Sequence, residues 1–349
     1  MRTKKAPLKG VRNEYARAET TIVLLTCLPH ESGYYRQRFQ VVRACLSSIL
    51  KHTDADFDLM VVDNGSLRHV TDWLVRMEQQ GYIDHLILNK RNLGLSGALN
   101  IAYSAAPGKY IAFSNDDVFF HPNWLSAHLQ ILQTFPRVGL VSGQLAPGPD
   151  RQDEVVQVAR EHNIPFEEFV IPDDWIQQFA ASVGMPLEQY LARPWAQRNR
   201  NTYVLEKDGC KAYVGKTGYA HVFPKDILRS VPCFPFETGY LAGDSTDRQM
   251  ANAIKDAGYL WLCTSEKTTE HMGNQLDEHF TEMIEACGLS SMLDDADAGS
   301  QLRRSLPIAG SPGASGGRGT LSPTRAKGRA AQVGAVKAIR RLLKLRHGR

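Results

Sequence analysis

The sequence predicts an α/β protein with a mostly parallel, doubly wound sheet, a helical insertion and a basic C-terminal tail. Three observations lead to this prediction. Short β-branched runs alternate with longer amphipathic stretches between Thr20 and about Val141. Residues 150–212 break this rhythm, and residues 300–349 change to a basic composition rich in Gly, Ser and Pro. Strands that alternate with helices favour a parallel sheet covered on both faces.

Four strands and three helices are predicted in the first half of the chain. A strand is predicted where β-branched residues run together, and a helix where apolar residues recur at spacings of three and four. In the third helix, for example, Leu95, Ala98, Leu99 and Ala102 share one face. The predicted strands are TTIVLLTCL (20–28), FDLMVVDNGS (57–66), IDHLILNK (83–90) and GKYIAFSNDD (108–117), and the helices between them are RQRFQVVRACLSSIL (36–50), VTDWLVRMEQQ (70–80) and LSGALNIAYSA (95–105).

The rest of the chain is predicted to add three parts to this half, which spans residues 20–149 after an N-terminal extension at 1–19. Residues 150–212, rich in Pro, Trp and Phe, are interpreted as a helical insertion that acts as a lid or an acceptor-binding subdomain. Residues 213–299 return to the sheet pattern. Residues 300–349 are predicted to be a flexible linker followed by an amphipathic helix.

Composition indicates a globular protein, since 43% of the residues are hydrophobic and 22% are charged. No apolar run approaches the roughly 18–20 residues that a membrane-spanning helix needs. The basic N-terminus lacks the apolar region of a signal peptide. The six cysteines are scattered without paired spacing, which argues against a disulfide framework or a zinc site. We therefore expect a cytoplasmic protein.

The charge is distributed unevenly along the chain. Residues 301–349 contain twelve Lys or Arg and no Asp or Glu, so the net charge of +4 leaves −8 (4 − 12) on the other 300 residues. In the last stretch, Val336, Ile339 and Leu343 share one helical face. A basic amphipathic helix over 330–349 fits an anionic membrane surface, which predicts peripheral attachment at the inner face of the membrane. A disordered solubilising tail is the alternative, and nucleic-acid binding is the least expected role.

Polar residues stand at or just after the ends of three predicted strands, at Asp63, Asn92 and Asp117. Ligands of parallel sheets bind beyond the carboxyl ends of the strands, so these residues predict a site at one edge of the sheet. The alternative is that they form only polar turns, because Asn and Asp are common turn residues.

The strongest single feature is the run Asn115, Asp116 and Asp117 at the end of the fourth strand. A divalent cation that is bound together with a diphosphate needs few protein carboxylates, because phosphate oxygens and water complete its coordination shell. Adjacent side chains of an extended segment point in different directions. Asp117 can therefore face a cation while Asp116 faces a ribose or the protein.

Two further motifs could serve the same site. Arg91, Asn92 and Gly94 stand at the start of a helix, where free backbone N–H groups and the helix dipole favour an anion. His271, in TTEHMG, is a candidate second protein ligand for Mn²⁺ or Mg²⁺, although a lone His is more often structural.

A candidate base lies in GDSTDRQ, which precedes a helical stripe. Thr246 followed by Gln249 matches a capping box, which would place Asp247 in the first helical turn. There the helix N-terminus stabilises the ionised carboxylate that a proton acceptor needs. The alternative is that Asp is simply favoured in first turns.

In this order, VVDNGS, RNLGLSGALN, NDDVFFHPNWL, GDSTDRQ and EHMG resemble the motifs of the family 2 glycosyltransferases, which have the GT-A fold. The resemblance covers roughly residues 20–275 apart from the insertion. It implies transfer of a sugar from a nucleoside-diphosphate sugar to an acceptor hydroxyl, usually with inversion, and with Mn²⁺ or Mg²⁺ on the diphosphate. A glycan or lipid-linked acceptor of bacterial surface glycan synthesis is the expected partner.

The resemblance also implies roles for individual residues. Asp63 would bind the nucleobase, and Asn115 and Asp117 would occupy the ends of the D-x-D motif. Asp247 would deprotonate the acceptor, and His271 would assist the metal. The expected nucleotide-sugar site lies in the nucleotide-sugar-binding half at 20–149, and residues 213–299 would form the acceptor and catalytic half. The site comprises Thr26, Asp63, Arg91, Asn92, Gly94, Asn115 and Asp116.

Two departures from the family pattern bear on these roles. Asn115 replaces the first Asp of D-x-D and brings no charge, and Thr246 precedes Asp247 where a Glu is commoner, so the base could be Asp244. A nucleotidyltransferase would normally have a glycine-rich loop after the first strand, but TCLPHESGYYRQRF is poor in glycine. The same residues would also suit a non-catalytic nucleotide-sugar-binding protein or a retaining transferase.

Overall fold

The computed structural model describes residues 17–148, 152–215, 217–230, 243–264 and 266–290, and at 243–248 and 251 it describes the backbone alone. Twelve strands lie in these ranges. They are β1 (Thr20–Thr26), β2 (Phe57–Asp63), β3 (His85–Leu88), β4 (Tyr110–Asn115), β5 (Val118–Phe120), β6 (Val138–Ser142), β7 (Phe166–Val170), β8 (Asn201–Lys207), β9 (Cys210–Val214), β10 (Ala220–Pro224), β11 (Leu260–Thr264) and β12 (Thr269–His271).

Ten helices accompany these strands in the described ranges, together with two short 3₁₀ segments at Gly33–Tyr35 and Lys225–Arg229. The helices are α1 (Arg38–His52), α2 (Arg68–Gln79), α3 (Gly94–Ala105), α4 (Trp124–Thr134), α5 (Asp153–Glu161), α6 (Asp173–Ser182), α7 (Leu187–Leu191), α8 (Pro194–Arg198), α9 (Gly243–Asp256) and α10 (Glu278–Ala286).

Ten strands form one sheet in the order β3-β2-β1-β4-β10-β6-β11-β9-β8-β7, and β5 pairs with β12 in a separate two-stranded sheet. The first four strands in this order are parallel to one another, and β6 is parallel to β11. Only β7, β9 and β10 run in the opposite direction, so seven of the ten strands share one direction. The predicted α/β class with a mostly parallel sheet is confirmed.

Helices cover both faces of the parallel strands. Residues of β1 alternate between the two faces, because successive side chains of a strand point to opposite sides. Ile22 and Leu24 pack with α1 and α2, whereas Val23 and Leu25 pack with α3. Burial on both faces explains why β1 and β2 consist of nearly continuous apolar runs.

The interpretation of residues 150–212 as helical is only partly right. The segment contains α5 to α8, but it also supplies β7, β8 and part of β9, which form one end of the main sheet. β7 is the edge strand, and it pairs antiparallel with β8 from Phe166 opposite Leu205 to Val170 opposite Asn201. The segment is therefore an extension of the sheet as well as a helical layer.

The N-terminal extension up to residue 16 and the basic tail lie outside the described residues, and so does the predicted helix around Val336, Ile339 and Leu343. In the described ranges, no helix combines the length and the hydropathy needed to cross a membrane.

Candidate functional site

A cleft of about 640 Å³ opens at the carboxyl ends of the parallel strands. It begins at the last residues of β1 and β4, which neighbour each other in the sheet. The loop after β2 and the start of α3 form one wall of the cleft, and the segment before α1 forms another wall. The lining residues are Leu25, Thr26, Cys27, Tyr34, Tyr35, Arg38, Asn64, Asn92, Gly94, Leu95, Asn115, Asp116, Asp117 and Asn274.

The cleft brings together six of the residues that the sequence predicts for the site. Neither Asp63 nor Arg91 lines it, and Arg91 is exposed. The predicted residues that do line the cleft are Thr26, Asn92, Gly94, Asn115, Asp116 and Asp117.

The acidic pair forms the turn between β4 and β5. Asn115 is the last residue of β4, and Asp116 and Asp117 follow it with 3% and 7% of their surfaces exposed. Asp116 accepts a hydrogen bond of 2.6 Å from the Thr26 hydroxyl at the end of β1. The strand therefore stops at two buried carboxylates, which need compensation by positive charge.

Arg38 supplies that charge from the first residue of α1. Its guanidinium bridges the two carboxylates: one terminal nitrogen forms an ion pair with Asp116 Oδ1, and the other lies 2.7 Å from Asp117 Oδ2. The second nitrogen also donates to the Asn274 side-chain oxygen at 2.8 Å and to the Gly273 carbonyl at 3.3 Å. The acidic turn, α1 and the loop after β12 are thus joined through one side chain.

The pKa directions follow from burial and from this ion pair. Burial raises the pKa of Asp116, and the charge of Arg38 opposes the rise. Burial would also raise the pKa of Asp117, but Arg38 and His271 outweigh it and hold that pKa below its ordinary value. Burial opposes the charge of Arg38, yet the two carboxylates raise its pKa, so the guanidinium stays charged.

His271 stands beside Asp117 because β12 pairs with β5, with His271 opposite Val118. Its Nε2 lies 3.3 Å from Asp117 Oδ2, and its ring stacks on Tyr219 at 4.6 Å between centroids. The Met272 amide donates to the Asp117 carbonyl at 2.8 Å. The two predicted metal ligands, 154 residues apart (271 − 117), therefore lie together.

Ser182, the last residue of α6, orients the imidazole. Its hydroxyl donates to the Phe179 carbonyl at 2.7 Å, so it can only accept from His271 Nδ1, at 3.0 Å. A neutral imidazole with its hydrogen on Nδ1 presents a lone pair at Nε2. Nε2 is the nitrogen on the side of Asp117, so a neutral His271 would offer it to a metal, as in sites whose His ligands are oriented by a second hydrogen bond.

A divalent cation fits these residues. Asp117 Oδ1 is buried without a hydrogen-bond partner, and His271 Nε2 lies 3.3 Å from the other oxygen of the same carboxylate, Oδ2. Among the described side chains, no three or more of His, Cys, Asp and Glu are grouped to hold a metal ion. Two protein ligands suffice for Mg²⁺ or Mn²⁺ when substrate phosphates complete the coordination. Asp117 and His271 are therefore the candidate ligands.

Asp63 holds a polar turn at the end of β2. It is fully buried and accepts hydrogen bonds from the amides of Gly65, at 3.3 Å, and Ser66, at 3.2 and 3.3 Å. Burial raises its pKa, and the hydrogen bonds from Ser66 and Gly65 oppose the rise. The nucleobase role of Asp63 stays a prediction, and Asn64 is the neighbour that lines the cleft.

Asn64 connects the end of β2 to the start of α3. Its side chain donates to Asn92 Oδ1 at 3.0 Å and to the Gly94 carbonyl at 3.2 Å, and it accepts from the Leu93 amide at 3.0 Å. Asn92 in turn accepts from the Gly94 amide at 2.7 Å. These contacts fix the wall of the cleft at the predicted helix start.

Asp247 lies on α9, whose backbone begins at Gly243. Thr246 is therefore inside the helix rather than at its N-cap, so the predicted capping box is wrong. Asp247 is the fifth residue of the helix and Asp244 the second, and nothing is described of either side chain. Their assignment as the base stays a prediction.

Sequence reasoning missed Arg38, Asn64, Ser182 and Asn274. One signal could have found Arg38. A cation is unfavourable at a helix N-terminus, and Arg38 begins α1 directly after the loop at the end of β1. A residue that breaks a local rule at a ligand-binding edge is a candidate functional residue.

Similarity to known proteins agrees with this geometry. Residues 34–182 match the model of Glycosyl transferase family 2. An uncharacterized glycosyltransferase of Nostoc sp. is 28% identical over 110 residues, which are 32% of this chain and 34% of that protein. An uncharacterized protein of Sinorhizobium fredii is 34% identical over 113 residues, which are 32% of this chain and 12% of that protein. The chain thus spans only about a third or less of these relatives, and the predicted resemblance is confirmed over the matched residues.

Two solved structures show a weaker similarity. A mannosyltransferase from Pyrobaculum calidifontis, in complex with GDP-Man and Mn²⁺, is 17% identical with a TM-score of 0.41, covering 73% of this chain and 56% of that one. TarS 1–349 from S. aureus, in complex with UDP-GlcNAc, is 13% identical with a TM-score of 0.43, covering 80% and 68%. Both TM-scores lie below 0.5.

Proposed function

We propose that this chain transfers a sugar from a nucleoside-diphosphate sugar to an acceptor hydroxyl. The match of residues 34–182 to glycosyl transferase family 2 supports this proposal. The observation that carries the proposal is the cleft at the carboxyl ends of β1 and β4, with an acidic turn as its floor. Polar side chains from four chain segments converge there, which is how open α/β sheets bind nucleotides.

In this proposal Asp117 and His271 hold Mn²⁺ or Mg²⁺, which offsets negative charge on the leaving nucleoside diphosphate when bound. The unpartnered Asp117 oxygen and the oriented imidazole support the assignment. Thr26 holds Asp116 in place, and Asn92 and Gly94 offer polar groups to the donor at the start of α3. The GT-A arrangement and inversion at the anomeric carbon are part of the proposal.

Binding of nucleotide sugars tests the donor site. Thermal unfolding is followed with UDP-, GDP- and dTDP-sugars, with and without Mn²⁺, for the wild type and Asp117→Asn. We expect one nucleotide to raise the melting temperature only with Mn²⁺ and intact Asp117, because binding to the folded state stabilises it. Asp58→Asn is the control, since Asp58 is a buried carboxylate at the opposite end of β2. No shift with any nucleotide sugar in folded wild-type protein contradicts the proposal.

Asp247 is proposed as the base that takes the proton from the acceptor. We expect Asp247→Asn to lower kcat by about 10²-fold or more, while the Kd of the nucleotide sugar changes little. Asp244→Asn is the matched variant on the same helix. If Asp244→Asn loses activity and Asp247→Asn does not, the assignment of the base is wrong.

The acceptor is proposed to be a glycan or a lipid-linked sugar at an anionic membrane surface. The basic residues of 301–349 support this, since the segment carries a charge of +12. Sedimentation with anionic liposomes should decrease when 301–349 are deleted. Equal sedimentation of both forms contradicts the membrane proposal and leaves the donor site untouched.

A further inference from the structure

Arg38 is the built-in counter-ion of the acidic turn. Its side chain is 11% exposed, and its terminal nitrogens contact both carboxylates, which are 4% and 10% exposed as side chains. An ion pair at this depth cannot lose one member without leaving an uncompensated buried charge. The guanidinium is thus what holds Asp116 and Asp117 together as a charged pair.

The same guanidinium lies close enough to Asp117 to repel a divalent cation bound there. Asp117 Oδ2 already accepts from Arg38 at 2.7 Å and lies 3.3 Å from His271 Nε2. A divalent cation on Asp117 and His271 would therefore sit beside a charged guanidinium. Like charges at such distances repel, and burial strengthens the repulsion. In the absence of an anion, Arg38 and the metal compete for the same carboxylate.

An anion in the cleft removes this competition. Arg38 is itself a lining residue of the cleft, and a guanidinium has the planar fork that matches phosphate oxygens. Its remaining contacts, to the Gly273 carbonyl and the Asn274 side chain, are neutral acceptors. A diphosphate can therefore replace Asp117 as the partner of the guanidinium. Asp117 is then free to bind the metal.

We propose that Arg38 couples the binding of the divalent cation to the binding of the nucleoside diphosphate. In the ligand-free protein it neutralises Asp116 and Asp117, and in the complex it contacts the diphosphate while the cation takes Asp117. This inference rests on the proposed function and adds that the cation and the nucleotide bind cooperatively. Metal and nucleotide each strengthen the binding of the other by the same factor, because the coupling of two ligands is reciprocal.

The test measures binding rather than activity. The Kd of Mn²⁺ is determined by electron paramagnetic resonance with and without UDP or GDP, and the Kd of the nucleotide by calorimetry with and without Mn²⁺. In the wild type we expect each ligand to tighten the other by about 5- to 150-fold, the usual range of such couplings. In Arg38→Gln we expect Mn²⁺ alone to bind more tightly than to the wild type. The coupling factor should fall below the wild-type value but stay above 1, because phosphate oxygens still coordinate the cation directly.

Two further variants complete the design. Arg36→Gln removes an exposed positive charge two residues away and should keep the wild-type coupling factor. Arg38→Gln with Asp116→Asn restores the charge balance, and it replaces the single variant if that one fails to fold. We expect the same decrease of the coupling factor in this double variant.

The outcomes separate the inference from the proposed function. A wild-type coupling factor in folded Arg38→Gln, or in the double variant, overturns the inference. Wild-type protein that binds UDP or GDP with no effect of Mn²⁺ also overturns it, while the nucleotide site of the proposed function stands. Wild-type protein that binds neither nucleotide overturns both.

Discussion

Gly65 lets two walls of the cleft approach each other. It has a φ of +90°, and a Cβ at this position would lie 2.7 Å from the Asn92 amide nitrogen and 2.8 Å from the Arg91 carbonyl carbon. Only glycine adopts this conformation without strain, and only glycine leaves room for the neighbouring backbone. The contact brings Asn64 within hydrogen-bonding distance of Asn92.

Gly65→Ala is expected to lower the free energy of unfolding by about 1–3 kcal/mol, from backbone strain and the clash together. It should also weaken nucleotide binding, because the clash separates Asn64 from Asn92. Gly209→Ala is the control for strain alone, since Gly209 has a φ of +76° and nothing within 4 Å of its Cβ position. Urea unfolding of both variants checks the prediction, and equal losses would show that the clash contributes nothing.

Individual site residues were predictable from sequence where they stand at strand ends. Asn115, Asp116 and Asp117 could be placed because the end of β4 is visible as the end of an apolar run. The contacts of Arg38 and Ser182 could not be predicted, because they join residues 79 and 89 positions apart along the chain. Such contacts depend on how the helices pack, which local pattern does not encode.

At the scale of elements, α6 is the part of the 150–212 segment that reaches the site. It ends at Ser182, whose hydroxyl orients His271. The approach is close, because a Cβ on Gly273 would lie 2.6 Å from the Ser182 carbonyl oxygen. The end of α6 and the loop after β12 are thus packed against each other beside the candidate metal ligands.

Ser182→Ala is expected to weaken Mn²⁺ binding by about 10- to 100-fold, the usual cost of removing a group that orients a metal ligand. The reason is that His271 loses the acceptor that keeps its hydrogen on Nδ1. Ser126→Ala is the matched control, since that hydroxyl also donates to a carbonyl three residues earlier. Paramagnetic resonance of Mn²⁺ with nucleotide present measures the effect. Equal affinities of Ser182→Ala and wild type would contradict the role of Ser182.

The elements of the first half follow local pattern closely, whereas those of 150–212 do not. In β1 and β2 all seven residues are buried, so their apolar runs are long enough to identify as strands. β7 is an edge strand with the sequence FEEFV, in which no residue is fully buried. Its charged residues disfavour pairing of this edge with another strand. They also interrupt the apolar run by which a strand is identified in the sequence.

At the scale of the whole molecule, buried histidine links stability to pH. His128 on α4 is 1% exposed, and its Nδ1 lies 2.6 Å from the Trp124 carbonyl. Burial lowers its pKa from 6.5 to about 4, and the contact with the carbonyl only partly opposes this. Between these values the unfolded chain binds a proton that the folded protein does not. The contribution of His128 to stability is therefore fully present above pH 6.5 and is lost as the pH falls towards 4.

His128→Leu should remove this part of the pH dependence. We expect the variant to lose less unfolding free energy than the wild type between pH 6.5 and 4, by about 3 kcal/mol at 1.36 kcal/mol per pKa unit. His69→Gln, which removes a half-exposed imidazole, is the control for loss of a histidine outside the core. Urea unfolding at several pH values provides the comparison. Parallel curves for His128→Leu and wild type would contradict the prediction.

The pairing of β5 with β12 has a consequence for how the chain is made. Arg38, Asp116 and Asp117 belong to the part of the chain that is synthesised first, while His271 follows more than 150 residues after the acidic turn. Domains begin to fold as they leave the ribosome, and contacts between distant residues form late. On a nascent chain that ends near residue 150, Arg38 is already present beside the acidic turn, whereas His271 has not yet been synthesised. Arg38 can thus pair with the two carboxylates early in synthesis, before His271, the candidate metal ligand, has been made.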